Sequence, residues 1–230
     1  MDLSYLLYML PALILSFWAQ SKVKGAFSKW SQIPNTHKVT GIEAAEHLKP
    51  RVGLQNVTLK RAQGILTDHY DPRDDTLALS QGVADASSIA AMAITAHELG
   101  HALQDKEGYG PMRLRSAIVP IVGLGSNLGI ILLMIGIALQ IAGLTWVGIL
   151  LFSGTALFSL VTLPVEFDAS KRARKMLDDN GLVVSEEERI GVDDVLSAAA
   201  WTYVAGLVTS LAQIFYYISI AGRASGNRRS

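Results

Sequence analysis

Four long apolar stretches constrain the fold of this chain more than any other feature of its sequence. They cover residues 3–18, 117–143, 144–165 and 198–222. A helix needs about 20 mostly apolar residues to cross the hydrocarbon core of a bilayer, and the second and third stretches reach this length without a charged side chain. Only 17% of all residues are charged, against about 25% in soluble domains. The sequence therefore predicts a mainly α-helical membrane protein with about four transmembrane helices.

The two outer stretches leave alternatives open. The first is slightly short for a span and has the apolar character of a signal peptide, but Asp2 precedes it and Lys22, Lys24 and Lys29 follow it. A signal peptide has basic residues before its apolar core, so an uncleaved anchor over residues 1–21 is favoured. The fourth stretch contains more polar residues, which makes residues 197–223 either a span or an interfacial helix. A disordered tail is expected over residues 224–230.

Basic residues near the ends of the stretches predict the orientation in the membrane. The loops over residues 22–116 and 166–196 both contain basic side chains close to the apolar stretches, whereas the turn near Gly143 contains none. Lys and Arg accumulate in cytoplasmic loops. We therefore expect both loops on the cytoplasmic side, with a transmembrane hairpin over residues 117–165 between them. Three basic residues at the C-terminus disagree mildly with this orientation: Arg223, Arg228 and Arg229.

The loop over residues 22–116 has the sequence pattern of a small α+β region. Residues 57–60 and 65–70 are predicted to form two β-strands around a turn at Gly64, and residues 76–80 alternate apolar and polar positions as in a further strand. From about Ser87 the apolar residues recur at helical spacing, until Gly108 and Pro111 end the helix. The region thus combines β-hairpin strands with one long helix.

The long helix contains the sequence His97-Glu98-Leu99-Gly100-His101. Residues four apart lie on one face of an α-helix, so both imidazoles can bind one Zn²⁺ at about 2.0–2.1 Å. Glu98 is placed to accept a proton from a metal-bound water, as in the H-E-x-x-H arrangement of zinc metalloproteases. The alternative is a pair of ordinary surface histidines. The chain has no cysteine, so any further ligand must be a histidine or a carboxylate.

A catalytic zinc takes a third protein ligand and keeps one position for water. Glu166 is the favoured candidate, because it follows an apolar span and opens a helical segment on the same predicted side as the zinc helix. Alternatively, Glu166 is an acidic residue at a helix start, where the helix dipole favours it. His37, His47 and His69 are the remaining histidines. Asp168 is a candidate to orient a ligating histidine, as carboxylates near zinc sites do.

Several longer segments resemble a known family. They are DHYDP at 68–72, TLALS at 76–80, AHELGHALQ at 96–104, LPVEFDASKRA at 163–173 and AAAWTYVAG at 198–206. With these segments, and over essentially its whole length, the chain resembles the YugP-type neutral zinc metallopeptidases of bacterial membranes. The resemblance implies a zincin-like (gluzincin) protease of the bacterial inner membrane. It also implies one Zn²⁺ held by His97, His101 and Glu166, with Glu98 as general base.

A more distant similarity to the HtpX-type membrane proteases bears on the surroundings of the metal. Those proteases have an Asp four residues after the ligand Glu, where this sequence has Ser170. Ser170 and Asp168 are therefore the candidates for the role of that Asp.

Two further sets of residues are candidates for contact with a substrate. Tyr203 and His69 could stabilise an oxyanion, although a packing aromatic and a surface histidine are the plainer interpretations. An exposed edge of the strand at residues 76–80 could pair with an extended substrate, and the alternative is an ordinary internal strand. The residues of that strand are Thr76, Leu77, Ala78 and Leu79.

The sequence as a whole predicts a membrane-embedded zinc endopeptidase at the cytoplasmic face. Its expected substrates are polypeptides, and membrane proteins are candidates among them. One alternative is a zinc-binding membrane scaffold or adaptor without turnover, against which the intact Glu98 argues. Another is a channel or transporter, but the second and third spans lack the ionisable residues expected at mid-membrane. The formal net charge of zero gives no basic surface for nucleic acid. The oligomeric state and any regulatory membrane partner are left open.

Overall fold

The computed structural model describes residues 3–226 and places most of them in α-helices. In chain order the elements are α1 (Leu3–Trp30), α2 (Gly41–Arg51), β1 (Thr58–Ala62), β2 (His69–Asp71), β3 (Thr76–Ser80), α3 (Gln81–Ala84), α4 (Ile89–Lys106), α5 (Gly110–Ala138), α6 (Ala142–Phe152), α7 (Gly154–Asp179) and α8 (Glu186–Gly226). The chain forms two compact units. Among the described residues, the apolar unit comprises residues 3–19, 114–163 and 202–226, and the polar unit comprises Gln20–Arg113 and Pro164–Trp201.

Four helical segments are long and apolar enough to cross a membrane, and they contain most of the apolar stretches of the sequence. The segments are Leu3–Trp30, Gly110–Ala138, Ala142–Asp179 and Glu186–Gly222. The prediction of a mainly α-helical membrane protein with about four spans and a small β part is therefore confirmed. The helices also continue into polar sequence, since α1 extends to Trp30 and α8 begins at Glu186.

Two boundaries differ from those expected. The turn between the second and third spans lies at residues 139–141 rather than near Gly143, and Gln140 adopts a positive φ of 55° there. At the C-terminus, α8 continues to Gly226. Residues 224–226 of the predicted tail are thus helical, and residues 227–230 lie outside the described residues.

Glycines bring α5 and α6 into close contact within the apolar unit. A Cβ atom on Gly129 of α5 would lie 2.6 Å from the backbone N of Phe152, and a Cβ atom on Gly148 of α6 would fall against the backbone of Leu133. Lipid tails are as apolar as the side chains, so helices in a bilayer associate through close packing at small residues. The two glycines therefore hold the predicted transmembrane hairpin together.

The polar unit contains a three-stranded sheet in the order β1-β3-β2. Strand β3 pairs with β1 in parallel and with β2 in antiparallel orientation. The two strands expected around Gly64 therefore do not pair with each other, and the hairpin instead joins β2 to β3 through residues 72–75. The Asp71 carboxylate stabilises this turn, since it accepts hydrogen bonds from the backbone N–H and the guanidinium of Arg73.

Strand β3 is the central strand of this sheet, and all five of its residues are buried. In the described structure both of its backbone edges are paired, with β1 on one side and β2 on the other. A substrate cannot add to an edge that is already hydrogen-bonded. This corrects the expectation of substrate pairing for the residues of this strand: Thr76, Leu77, Ala78 and Leu79.

Glu188 connects the start of α8 to the segment between α1 and α2 within the polar unit. It is 2% exposed, and one of its oxygens accepts a hydrogen bond from the N–H of Thr36 at 2.8 Å. The other oxygen accepts from the N–H groups of Val184 and Ser185 at 2.9 and 3.1 Å. A buried carboxylate is costly without such donors, so this contact stabilises one conformation of both segments.

Glu188→Ala is expected to lower the melting temperature of the purified protein, because three backbone N–H groups lose a charged acceptor. The expected cost is about 1–3 kcal/mol. The neighbouring Glu187 is exposed, so Glu187→Ala is the matched control and should change stability by less than about 0.5 kcal/mol. Thermal unfolding of both variants in detergent measures the difference, and equal melting temperatures would contradict this role of Glu188.

Candidate metal centre

Two histidines of α4 and one glutamate of α7 converge in the polar unit. One ligand atom from each of His97, His101 and Glu166 lies within 4.8 Å of the other two. Oε2 of Glu166 is 3.2 Å from Nε2 of His97 and 3.5 Å from Nε2 of His101, and the three side chains are 12%, 9% and 3% exposed in the order His97, His101, Glu166. Among the described residues, this is the group that the fold brings close enough to share a metal ion.

The close approach of α4 and α7 at Gly100 brings these side chains together. A Cβ atom on Gly100 would lie 2.6 Å from the carbonyl O of Ala169, so any side chain at this position would push the two helices apart. Ala169 lies three residues after Glu166 and therefore on the same face of α7. The backbone contact at Gly100 thus places Glu166 opposite the two histidines.

The other ring nitrogen of each histidine has a separate partner. The imidazole rings lie edge to face with their centroids 4.8 Å apart. Nδ1 of His97 is 3.3 Å from Oγ of Ser170, and Nδ1 of His101 is 3.0 Å from Oε1 of Gln104. These contacts orient both rings and leave both Nε2 atoms for a metal, as hydrogen bonds to ligating histidines generally do.

The residues predicted to support the ligands lie close to them in different ways. Ser170 contacts His97 directly, whereas Asp168 accepts hydrogen bonds from Nε2 of Gln104 at 2.8 Å and from Nε of Arg172 at 2.5 Å. Asp168 is thus connected to His101 through Gln104. Sequence reasoning missed Gln104, and the one available signal was its position three residues after His101 on the same helix. The supporting roles of Asp168 and Ser170 stay predictions.

Glu98 lies beside the three candidate ligands and contacts strand β2. Its Oε2 accepts a hydrogen bond from the backbone N–H of Tyr70 at 3.0 Å. Burial raises the pKa of the Glu98 carboxyl, although the neighbouring imidazoles of His101 and His97 act in the opposite direction. A raised pKa makes a carboxylate a better acceptor for a proton, which is the property required of a general base.

The two candidates for oxyanion stabilisation lie in different units. His69 is exposed on β2, where its Nδ1 donates a hydrogen bond to the carbonyl O of Thr67 at 2.8 Å. Tyr203 lies on α8 in the apolar unit. His69 is not one of the three grouped side chains, and the proposed role of either residue stays a prediction.

The chemistry of the grouped side chains fits a zinc ion. Two imidazole nitrogens and one carboxylate oxygen are the donor set of a zinc site with three protein ligands. Burial acts to lower the pKa of His101, but the hydrogen bond to Glu166 and the charge of Glu98 outweigh it and raise the pKa. The same negative charges that favour a protonated imidazole also favour a bound cation.

A comparison with known proteins identifies the family. The profile of the family described as "Putative neutral zinc metallopeptidase" matches residues 5–222. The chain belongs to this family. It is also 43% identical over 211 residues to "Putative membrane protease YugP" of Bacillus subtilis (strain 168), an alignment that covers 92% of this chain and 93% of that protein. No solved structure matches the chain.

Family membership agrees with the resemblance that the sequence segments indicated. The matched range contains all three candidate ligands and Glu98. It also contains the four helical segments that are apolar enough to cross a membrane, apart from the first residues of the first one. This member of the family therefore combines a buried His/His/Glu group that could hold a metal ion with four helical segments that are apolar enough to cross a membrane.

Gly100→Ala is expected to weaken zinc binding and to lower stability, because the added methyl group collides with the backbone of Ala169. Overpacking at such a contact costs about 1–3 kcal/mol. Gly82 of α3 provides the control, since a Cβ atom there would meet nothing within 4 Å. Zinc content and melting temperature should be measured for both variants, and wild-type values for Gly100→Ala would rule out a positioning role for this helix contact.

Proposed function

We propose that this protein is a membrane-embedded zinc-dependent endopeptidase that holds one Zn²⁺ per chain with His97, His101 and Glu166. The observation that carries the proposal is the position of Glu98, on the same helix as both histidines and beside a buried carboxylate from a second helix. Membership in a zinc metallopeptidase family and the similarity to a named membrane protease support the same reaction class.

The proposed reaction is hydrolysis of a peptide bond with Glu98 as general base. A zinc ion held by His97, His101 and Glu166 would supply Lewis-acid chemistry, lowering the pKa of a water molecule and polarising a carbonyl group. Glu98 accepts the proton of the attacking water and later delivers it to the leaving amine. The N–H of Tyr70 holds Oε2 of this carboxylate, which keeps the proton-accepting group in one orientation. His69 and Tyr203 are the candidates to stabilise the oxyanion.

The outer edge of strand β2 is the proposed binding site for the substrate backbone. Tyr70 lies opposite Leu77 in the antiparallel pair, and its N–H points away from β3, towards Glu98. In an antiparallel pair the backbone groups alternate between the partner and the free edge. An extended peptide could therefore pair along this edge next to the general base, and such binding reads the backbone more than the side chains.

The position of Glu166 along α7 suggests the class of substrate. Leu163 is the last residue of α7 in the apolar unit, and Glu166 follows it in the polar unit. We therefore include membrane proteins and their segments next to the bilayer among the polypeptide substrates. The asymmetry of basic residues supports a site on the cytoplasmic side of the bacterial inner membrane.

Glu98→Gln is expected to abolish most turnover while zinc stays bound. Glutamine keeps the size and can still accept the hydrogen bond from Tyr70, but it cannot take up the proton of the attacking water. Peptidase activity should fall by about two orders of magnitude or more, while zinc content and melting temperature stay close to wild type. The measurement is a casein-degradation assay on the purified protein together with metal analysis.

Glu166→Gln is the informative comparison, because it alters a proposed ligand rather than the base. This variant should lose zinc, stability and activity together. Wild-type activity in Glu98→Gln would contradict the proposed mechanism, and full zinc retention in Glu166→Gln would assign the third ligand to another residue. A wild-type protein that binds zinc but hydrolyses no peptide would instead indicate the zinc-binding scaffold.

Single cysteines test the proposed orientation, since the natural chain has none. Cysteines in place of Asp74 and Asp179, whose side chains are 53% and 57% exposed, should be protected from a membrane-impermeant thiol reagent in intact cells. A cysteine in place of Gln140, in the turn between α5 and α6, should react if that turn extends beyond the lipid headgroups. Permeabilised cells provide the control, because every cysteine should react there. Labelling of the cysteine at position 74 in intact cells would place the candidate metal centre outside the cytoplasm.

A further inference from the structure

Gln104 is a fully buried amide on α4, three residues after His101, and the H-E-x-x-H sequence itself does not account for it. It is 0% exposed and contacts three groups. Its Nε2 is 2.8 Å from the carbonyl O of Val165 and 2.8 Å from Oδ2 of Asp168, and its Oε1 is 3.0 Å from Nδ1 of His101.

The partners of Gln104 determine the orientation of its amide group. A carbonyl oxygen and a carboxylate oxygen can only accept hydrogen bonds, so the amide nitrogen must face Val165 and Asp168 and use both of its hydrogens there. The amide oxygen must then face His101. An amide oxygen can only accept, so Nδ1 of His101 carries the hydrogen and donates it to Gln104. In neutral His101 the lone pair is consequently on Nε2, the atom that lies 3.5 Å from Oε2 of Glu166.

A chain of charged groups extends from Gln104 away from the metal centre. Asp168 accepts a hydrogen bond from Nε of Arg172 at 2.5 Å, and Nη1 of Arg172 donates to Glu107 at 2.6 Å. Arg172 thus fixes Asp168 in the position from which it contacts Gln104. A carboxylate that accepts from the amide nitrogen polarises the amide, and its oxygen becomes a stronger acceptor for the imidazole N–H.

The two candidate histidine ligands differ in this support. His97 has the hydroxyl of Ser170 at 3.3 Å from its Nδ1, which is a longer contact to a neutral group that can donate or accept. His101 has a shorter contact to an amide whose orientation is fixed by three partners. The fold therefore commits His101, more strongly than His97, to the tautomer that binds a metal through Nε2.

We propose that Gln104 is a positioning residue for the metal ligand His101, and that Asp168 acts on this histidine through Gln104. This proposal rests on the proposed function, because it assumes that the site holds zinc. In this arrangement Gln104 holds the imidazole in one orientation and one tautomer, and Asp168 with Arg172 strengthens that hold.

The test measures zinc affinity of the full-length protein by competition with a chelator. Gln104→Met keeps an unbranched side chain of similar length but removes the acceptor for His101, and it should weaken zinc binding by about 10- to 100-fold. Gln63 is exposed, so Gln63→Met is the matched control for the same chemical change and should keep wild-type affinity. Melting curves recorded in excess chelator show whether each variant folds without the metal.

Asp168→Asn supplies a second variant that hardly changes the shape of the side chain. It should also weaken zinc binding, by less than Gln104→Met, because Gln104 can still contact His101. The double variant Gln104→Met, Asp168→Asn should bind zinc no more weakly than Gln104→Met alone, since Asp168 acts through the amide that has been removed. Additive losses would overturn this connection, because a merely structural role of each residue predicts independent effects.

The outcomes separate this inference from the proposed function. A wild-type protein that binds no zinc would contradict the proposed function itself. If the wild type binds zinc and either Gln104→Met or Asp168→Asn binds it equally well, the positioning role is wrong while the zinc site stands. If Gln104→Met unfolds in chelator, the zinc affinity of Asp168→Asn still tests the proposal: weaker binding supports it, and wild-type binding contradicts it.

Discussion

The backbone contact between α4 and α7 at Gly100 and Ala169 is the constraint on which the metal centre depends. Helices that contact through ordinary side chains have axes about 8–10 Å apart, and a glycine allows the two backbones to approach more closely. Glu166 and Ser170 are four residues apart on α7, as are His97 and His101 on α4, so each helix presents two polar groups to the other. The contact at Gly100 brings these two pairs within hydrogen-bond and metal-ligand distance.

Burying so many polar groups requires that they satisfy one another. His101, Gln104, Glu166 and Ser170 are all buried, and as whole residues each is 7% exposed or less, so unpaired polar groups at such depth would destabilise the fold. Three contacts meet this requirement: Nδ1 of His101 donates a hydrogen bond to Oε1 of Gln104, Oγ of Ser170 lies within hydrogen-bond distance of Nδ1 of His97, and Arg172 donates to Asp168. The network that stabilises the core is therefore the same network that orients the candidate ligands.

Helix α4 connects the two sides of the candidate site. Its histidines face α7, and its Glu98 contacts strand β2 through the N–H of Tyr70. The sheet supports this arrangement, because the central strand β3 is buried and paired on both edges, while β2 lies at the edge of the described sheet, where the Tyr70 N–H contacts Glu98. One helix thus brings together the proposed general base, the candidate ligands and a strand edge, which is a suitable arrangement for the peptide hydrolysis proposed for this family member.

The sequence by itself determined the features that depend on local spacing. Apolar runs of sufficient length specified the candidate spans, and a repeat of three to four residues specified α4. A separation of four residues was enough to place His97 and His101 on one helical face. The position of Glu166 after an apolar run, together with the resemblance of longer segments, indicated the carboxylate that the fold places within 3.5 Å of Nε2 of both histidines.

Only the tertiary structure decided the features that depend on contacts between distant segments. The parallel pairing of β1 with β3 follows from packing that no local pattern encodes, and the edge expected on β3 is therefore absent from the described sheet. In the sequence, Gln104 is an ordinary polar residue near a helix end. Its role depends on the acceptors Val165 and Asp168, which lie on α7. In the sequence, Gly100 is an ordinary glycine within a helix. In the fold, the carbonyl of Ala169 occupies the space that a side chain at this position would need. In each case the physical reason is the same, since the partner that gives the residue its role lies more than sixty positions away or in another strand of the sheet.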